Sequence, residues 1–479
     1  MRHRSKVCRQ GRVAPSPLGA PVLEFPLWAD RAKRTGLSLV ISLAALFILL
    51  IPWITRPVLL VTDALGLRAG AFVSALVLFS PSLTLLGMVG PYAIKLATSR
   101  LEGVGTSAGS IYAVSTLGSV VGTLLLGFFL FPVVGSREIL IGLGVALLAL
   151  AVAVAIYEQK RLGRTAAVLP CVLLATIGIA LLPQAVGAGR ANNYTGGDTL
   201  EIRSERESLY GWVRVIDQKK TDLRLLMSDA STIGAASISS GENRLTYQEI
   251  VRLIPALAPD MKRALLIGQG AGHMATTLRD RNGIVTDTLE IDPAVADAAS
   301  AFFGFTPIGK AIVGDARYEI RRLTGPYDLI IHDCFTGGSE PAHLLTVETL
   351  SQLRGLLSEQ GILALNFVAF FQDGRNAALA SVARTIAQVF PHRSVFVSEP
   401  GKHFNDFIFL ASANPIGLGS PTLDAGQAAW LKDRSISLDE AQGVILTDDF
   451  NPLEQLQTRK AEHYRRILVD WFGTDLLVR

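Results

Sequence analysis

The chain has 479 residues, room for two to four domains. Hydrophobic residues make up 49% of it and the mean hydropathy is +0.38, which excludes an ordinary soluble enzyme of this length. The net charge of +4 is small, and the basic excess at the front (Arg2, Arg4, Lys6, Arg9, Arg12, Arg31, Lys33, Arg34) precedes apolar sequence, the pattern of a membrane-orientation signal rather than of a nucleic-acid partner.

Residues 1–35 form a basic tail without periodicity. Pro15, Pro17, Pro21 and Glu24 follow its start where a signal peptide would have an apolar core, so no signal peptide is expected. Residues 36–187 form a transmembrane helical region of about five spans, near Leu37–Leu60, Ala69–Leu96, Ala108–Val134, Glu138–Tyr157 and Ala166–Val186. Each is long enough for a bilayer core, so the lipid bilayer is one expected partner. Prolines interrupt several of them, and Gly118, Gly122 and Gly127 lie near one helical face, where small residues allow close helix packing. The last three spans carry no ionisable residue deep inside, which argues against an ion-coupled transporter. Lys95, Arg100, Lys160, Arg161, Arg164 and the basic front fall on loops that the positive-inside rule makes cytoplasmic. Five spans would then leave the rest of the chain outside, whereas an enzyme with a nucleoside cofactor belongs inside. A re-entrant segment, a non-native chain start or a truly external domain would each resolve the conflict.

Residues 188–250 alternate apolar and polar positions and predict two or three antiparallel strands. From 251 to 479, ALLIG, DTLEI, KAIVGDA, DLIIHD, ILALNFVAF, SVFVSE and FIFLASA alternate with helical patterns, predicting a mostly parallel, Rossmann-like α/β domain whose ligands collect at the strands' carboxyl ends. The first of these strands runs into a glycine turn, Gly268, Gly270 and Gly272, and the second ends on Glu290. Backbone N–H groups at a helix start with a carboxylate at the next strand tip suit an adenosine ligand. His273 stands where the full dinucleotide pattern has its third glycine, which disfavours NAD and fits a tighter turn; as a first-turn helix residue it is expected to have no proton role. Asp292, Asp315 and Asp333 also lie at or just beyond strand ends. Each alone reads as a helix cap, but together with the turn they mark a site.

Cys8, Cys171 and Cys334 have neither disulfide nor metal spacing, and no metal is expected. Cys334, beside Asp333 and near His332 and His343, reads as packing rather than as a nucleophile. Asp448 and Asp449 read as a capped loop, with closure over the amine pocket as the alternative.

The series YQEI (Tyr247–Ile250), LLIGQGAG, LEIDP, VGDAR and YDLIIHD resembles, in order and spacing, the spermidine synthases, or polyamine aminopropyltransferases, over about Glu207–Ala413. SPSLTLLGMVGPYAI, the block GSIYAVSTLGSVVGTLLLGFFLFPVVG and LTDDFNPLE are similar to the membrane-fused spermidine-synthase-like subgroup, of which this chain looks like a shortened member. The resemblance implies a membrane-anchored transferase that moves an aminopropyl group from decarboxylated S-adenosylmethionine, as co-substrate, to a small polyamine substrate such as putrescine, and a homo-oligomer. It implies Gly268, Gly270 and Gly272 around the cofactor, Glu290 on the ribose hydroxyls and Asp315 on the adenine amino group. It further implies Asp333 orienting and deprotonating the amine, with Tyr247 and Gln248 beside it. An amine attacks only when neutral and a sulfonium is already an excellent leaving group, so positioning and a proton acceptor suffice.

Three departures bear on the acceptor. Ala271 replaces the acid of the family's glycine turn, Thr336 replaces a second acid three residues after Asp333, and Gly211 replaces a glutamine after Tyr210. A pocket with fewer acids suits a dication less well, so a methyltransferase using ordinary S-adenosylmethionine on another small amine, and a non-catalytic nucleoside- or polyamine-binding membrane protein, stand as alternatives.

Overall fold

The computed structural model describes residues 36–98, 104–162, 173–174, 176–178, 200–258, 260–335, 337–371, 376–417, 422–473 and 477. The basic tail, most of the fifth expected span, Cys8, Cys171, Arg100, Arg164 and Thr336 lie outside the described residues. The chain divides into two compact units, Met1–Leu126 with Ser136–Ala188, and Gly127–Gly135 with Gly189–Arg479.

In the first unit, α1 (Leu37–Thr62), α2 (Leu67–Ala97), α3 (Val104–Leu125) and α4 (Ser136–Leu162) coincide with the first four expected spans, and each is long and apolar enough to cross a membrane. Pro52 and Pro57 lie inside α1, and Pro81 and Pro91 inside α2, without ending either helix. Ala45, Ala151 and Ala155 are fully buried beside Ile41, Leu49 and Leu148, so small side chains bring α1 against α4. The close approach falls at Gly144, where a Cβ would lie 2.6 Å from Leu49. It does not fall at Gly118, Gly122 and Gly127, as expected from their spacing: a Cβ there would meet nothing within 4 Å, because the described residues of α3 are all at least partly exposed. Glu158, near the end of α4, is buried and accepts the Leu37 N–H (2.7 Å) and the Ser38 hydroxyl (2.6 Å). It thereby satisfies orphan donors at the start of α1, where Gly36 supplies no capping side chain.

The second unit opens with an antiparallel sheet in the order β1 (Leu200–Glu207), β2 (Trp212–Gln218), β3 (Leu223–Ser228), β4 (Ser231–Ser237). The fourth strand goes beyond the two or three expected. STIGAAS has little intrinsic strand preference and is a strand because β3 pairs along it.

After α5 (Gln248–Leu257) comes an eight-stranded sheet. Its first half holds β5 (Arg263–Ile267), α6 (His273–Asn282), β6 (Val285–Glu290), α7 (Pro293–Phe302), β7 (Ala311–Val313) and β8 (Tyr327–His332). The second half holds α8 (Val347–Leu356), β9 (Leu357–Phe370), α9 (Ala377–Val389), β10 (His392–Val397), β11 (Phe404–Ser412), α10 (Ala425–Arg434) and β12 (Ser435–Ile436), and α11 (Thr458–Phe472) closes the chain. The strand order is β12-β10-β11-β9-β8-β5-β6-β7. The run from β9 to β7 is parallel as expected, while β11, β10 and β12 pair antiparallel. The connection from β10 to β11 is too short for a crossover helix, so those two strands form a hairpin.

Alternate residues of the central strands enter two cores. Leu265, Ile267 and Ile330 pack under α8 and α9, and Ala264, Leu266, Leu329 and Ile331 under α5 and α6. Burial on both faces explains why these strands read as unbroken apolar runs. Ile267 pairs with Leu289 and with His332, and Glu290 with Val313, so Gly268, Glu290, Asp333 and the segment before Asp315 all emerge at one edge.

Candidate active site

At that edge lies a cavity of about 1010 Å³. Its walls include Gly268, Gly270, Glu290, Asp315, Asp333, Tyr247 and Gln248, so most of the residues singled out in the sequence converge. Gly272 does not line it; Gly272 caps α6 at φ +80° with Phe305 packed where a Cβ would stand.

The glycine turn is dictated by proximity. Gly268 (φ +86°) has the Asp333 carbonyl oxygen 2.1 Å from the place of a Cβ, and Gly270 (φ +52°) has the Ile233 carbonyl oxygen at 2.6 Å. Side chains at either position would collide with backbone in a conformation L-residues rarely adopt. Ala271, directly after Gly270, is buried among Val213, Val215, Leu226, Ala294 and Val295, and it also lines the cavity.

Glu290 accepts the Gly270 N–H (3.2 Å) and the Asp292 N–H (3.1 Å), one on each oxygen, and an ionised carboxylate keeps further lone pairs for hydroxyl donors. Burial pushes its pKa up to about 7, against the lowering effect of those N–H groups. Asp292 caps α7 through the Ala294 N–H (2.8 Å), and Asp315 caps the short helix Ala316–Glu319 through the Tyr318 N–H (3.0 Å). Asp315 also lines the cavity, so capping and ligand contact are compatible there.

At the other end the Tyr247 hydroxyl donates to Asp333 Oδ2 (2.6 Å), and Gln248 Nε2 donates to the Tyr247 oxygen (3.3 Å). Asn366 Nδ2, from β9, donates to Asp333 Oδ1 (2.9 Å) and reaches Asp406 Oδ1 on β11 (3.5 Å). Burial raises the Asp333 carboxyl above the usual carboxylate range; burial and the neighbouring Asp333 charge raise Asp406 to about 6. Burial and the same Asp333 charge push the Tyr247 phenol well up, so it stays a donor. Phe370, Phe404, His463, Tyr464 and Trp471 complete this end, with His463 and Phe404 ring centroids 4.9 Å apart. Asn366, Asp406 and this aromatic wall escaped the sequence analysis, since each lies within a strand or the last helix and carries no motif.

Cys334 also lines the cavity, but burial, then Glu290, Asp333 and other carboxylates, push its thiol well up; it is no thiolate nucleophile. His332 is buried with its pKa lowered to about 4, again by burial, and stays neutral. His273 is buried at the start of α6, its pKa lowered by burial. Asp448 pairs with Arg317, accepts the Thr346 hydroxyl (2.8 Å) and donates its own N–H to the Glu348 carboxylate (3.0 Å). These contacts anchor the C-terminal loop to the start of α8, away from the cavity walls. Among the described residues no cluster of three metal-ligating side chains occurs.

No family profile matches the chain. An N-terminal histidine N-methyltransferase of Emericella nidulans is 27% identical over 380 residues, covering 73% of this chain and 66% of that protein. A probable polyamine aminopropyl transferase of Bifidobacterium longum is 24% identical, covering 56% of this chain and 66% of that protein. A polyamine aminopropyltransferase of Vibrio vulnificus is 33% identical over 177 residues, covering 34% of this chain and 58% of that protein. The chain thus spans just under two thirds of the curated relatives it matches. The first match covers more of the chain than residues 189–479 can supply, so it extends into the apolar helices. With these similarities, the glycine turn and strand-end acids on an α/β sheet, and the apolar helices ahead of them, the chain is similar to the spermidine-synthase-like proteins.

Proposed function

We propose that the chain is a membrane-anchored transferase that moves an alkyl group from an S-adenosylmethionine-type sulfonium to an amine nitrogen. The observation that carries this reading is one cavity with two chemically distinct ends. Glu290 and open backbone at one end suit ribose hydroxyls, and the Tyr247–Asp333–Asn366 set at the other suits a proton-bearing nitrogen. In the specific form favoured by the aminopropyltransferase relatives, the donor is decarboxylated S-adenosylmethionine and the acceptor a small polyamine.

On this reading Gly268 and Gly270 let the nucleoside approach the backbone, Glu290 holds the ribose and Asp315 the adenine amino group. Tyr247 and Gln248 orient the acceptor, and Asp333 accepts its proton. Its raised affinity for protons makes Asp333 a better base near neutrality than a solvated carboxylate would be. The four apolar helices span the bilayer, and self-association is part of the proposal as the resemblance implies it.

A second form, methyl transfer from ordinary S-adenosylmethionine, is favoured by two observations. One relative whose match reaches into the apolar helices is a methyltransferase, and Ala271 leaves the turn without the acid that would shape the aminopropyl end of the pocket. Mass spectrometry of products formed by the detergent-solubilised chain with each donor and a mixture of amines separates the two. Methylthioadenosine with an aminopropylated amine supports the first form, and S-adenosylhomocysteine with a methylated amine the second. Formation of neither product would overturn the transferase reading.

A further inference from the structure

Asp333 and Asp406 arrive from different parts of the sheet, one beyond β8 and one within β11, yet Asn366 Nδ2 reaches both, at 2.9 and 3.5 Å. Both line the cavity and are only partly covered. Among the described residues neither makes an ion pair within 4 Å, although Lys460 is near. Its ammonium is held by Glu340, which also accepts the Val368 N–H (2.8 Å), and lies over the Phe367 ring at 4.5 Å. The remaining contact of Asp406, from the Ser398 hydroxyl, is long at 3.4 Å. Two neighbouring carboxylates whose nearby ammonium, Lys460, is already paired with Glu340 are costly unless something positive occupies the space they face. Beside them stand Phe370, Phe404, His463 and Tyr464, π faces and edges suited to an ammonium and its methylenes.

We propose that Asp406 is a second acceptor-binding carboxylate, which with Asp333 cradles the amine and stands in for the acid that Thr336 replaces in the sequence. The proposal rests on the transferase reading and adds the charge its acceptor must carry. The acceptor enters as an ammonium between the two carboxylates and gives one proton to Asp333. The freed nitrogen lone pair attacks the carbon bonded to the sulfonium. The C–S bond breaks with its electron pair left on sulfur, yielding a neutral thioether. The positive charge now lies on the alkylated nitrogen, which Asp406 holds until release. Glu340 is not available for this task, because Lys460 neutralises it.

The test is calorimetry on the full chain in detergent with two probes, 1,4-diaminobutane and methylthioadenosine. For Asp406→Asn we expect diamine affinity to fall at least tenfold and nucleoside affinity to stay within twofold of wild type. Diamine affinity within twofold of wild type, or a wild-type protein that does not bind the diamine, overturns the proposal. If Asp406→Asn loses the nucleoside as well, Asp406→Ala provides the same comparison without a buried amide. Loss of diamine binding alone in Asp406→Ala supports the proposal, and unchanged diamine binding or joint loss of both probes overturns it. Should wild type bind the diamine but form no product with either sulfonium donor, the transferase reading fails while the role of Asp406 in amine binding stands.

Discussion

Glu290 shows how one carboxylate is tuned by burial and backbone together. Its pKa of about 7 in the folded chain lies above the ordinary value, so the folded state holds a proton that the unfolded state has released once the pH exceeds about 4.5. Stability is therefore greatest below that value and declines as pH rises to about 7, by roughly 3 kcal/mol for this group. Glu290→Gln should raise the melting temperature of the ligand-free protein at pH 8, by an advantage that shrinks toward pH 4.5, while weakening methylthioadenosine binding. Scanning calorimetry at both pH values checks the first effect and titration calorimetry the second. Glu290, Asp315 and Asp333 were legible because each terminates an apolar run beside a glycine turn. Asp406 and Asn366 were not, because a polar residue within FNDFIF or LALNFV looks like an outward-facing strand position. Only the pairing of β9 with β11, Asp406 opposite Val368 and Asn366 opposite Ile408, carries them to Asp333.

The turn between β5 and α6 owes its shape to what lies behind it. A valine at Gly270 would need a φ of +52° and space already filled by the Ile233 carbonyl of β4. Gly270→Val should lower methylthioadenosine affinity more than tenfold, measured by calorimetry, with helical circular dichroism little changed. The last helix, α11, contributes Lys460, His463, Tyr464, Ile467, Leu468 and Trp471 at helical spacing, the last five to the cavity and Lys460 to Glu340. Gln457 extends the same anchor, accepting the Glu340 N–H (3.0 Å) and donating to its carbonyl (3.1 Å). Lys460→Met would strand Glu340 as a buried unpaired carboxylate, with an expected cost of about 3–5 kcal/mol by chemical denaturation. The double variant with Glu340→Gln should recover part of that loss, and full additivity of the two changes would show the pair to be uncoupled.

Four helices that are apolar around much of their surface predict release by detergent but not by high salt or alkaline carbonate. Recovery of the chain in a salt-washed supernatant would refute bilayer insertion. Hydropathy alone located these helices, because a span is a property of composition over about twenty consecutive residues. It did not locate their packing. The glycines of α3 looked like the contact face, but the close approach lies at Gly144, where α4 meets Leu49 of α1. The α/β unit divides the same way. Alternating apolar runs, a glycine turn and acids at strand tips are local patterns, and they were enough to indicate the α/β sheet and the turn and acids that line its cavity. The Asp333–Asn366–Asp406 end of the cavity is assembled from β8, β9, β11 and α11, segments more than a hundred residues apart from first to last. Sheet order and register, not sequence spacing, decide which side chains meet there, so the second carboxylate and the aromatic wall emerged only with the tertiary structure.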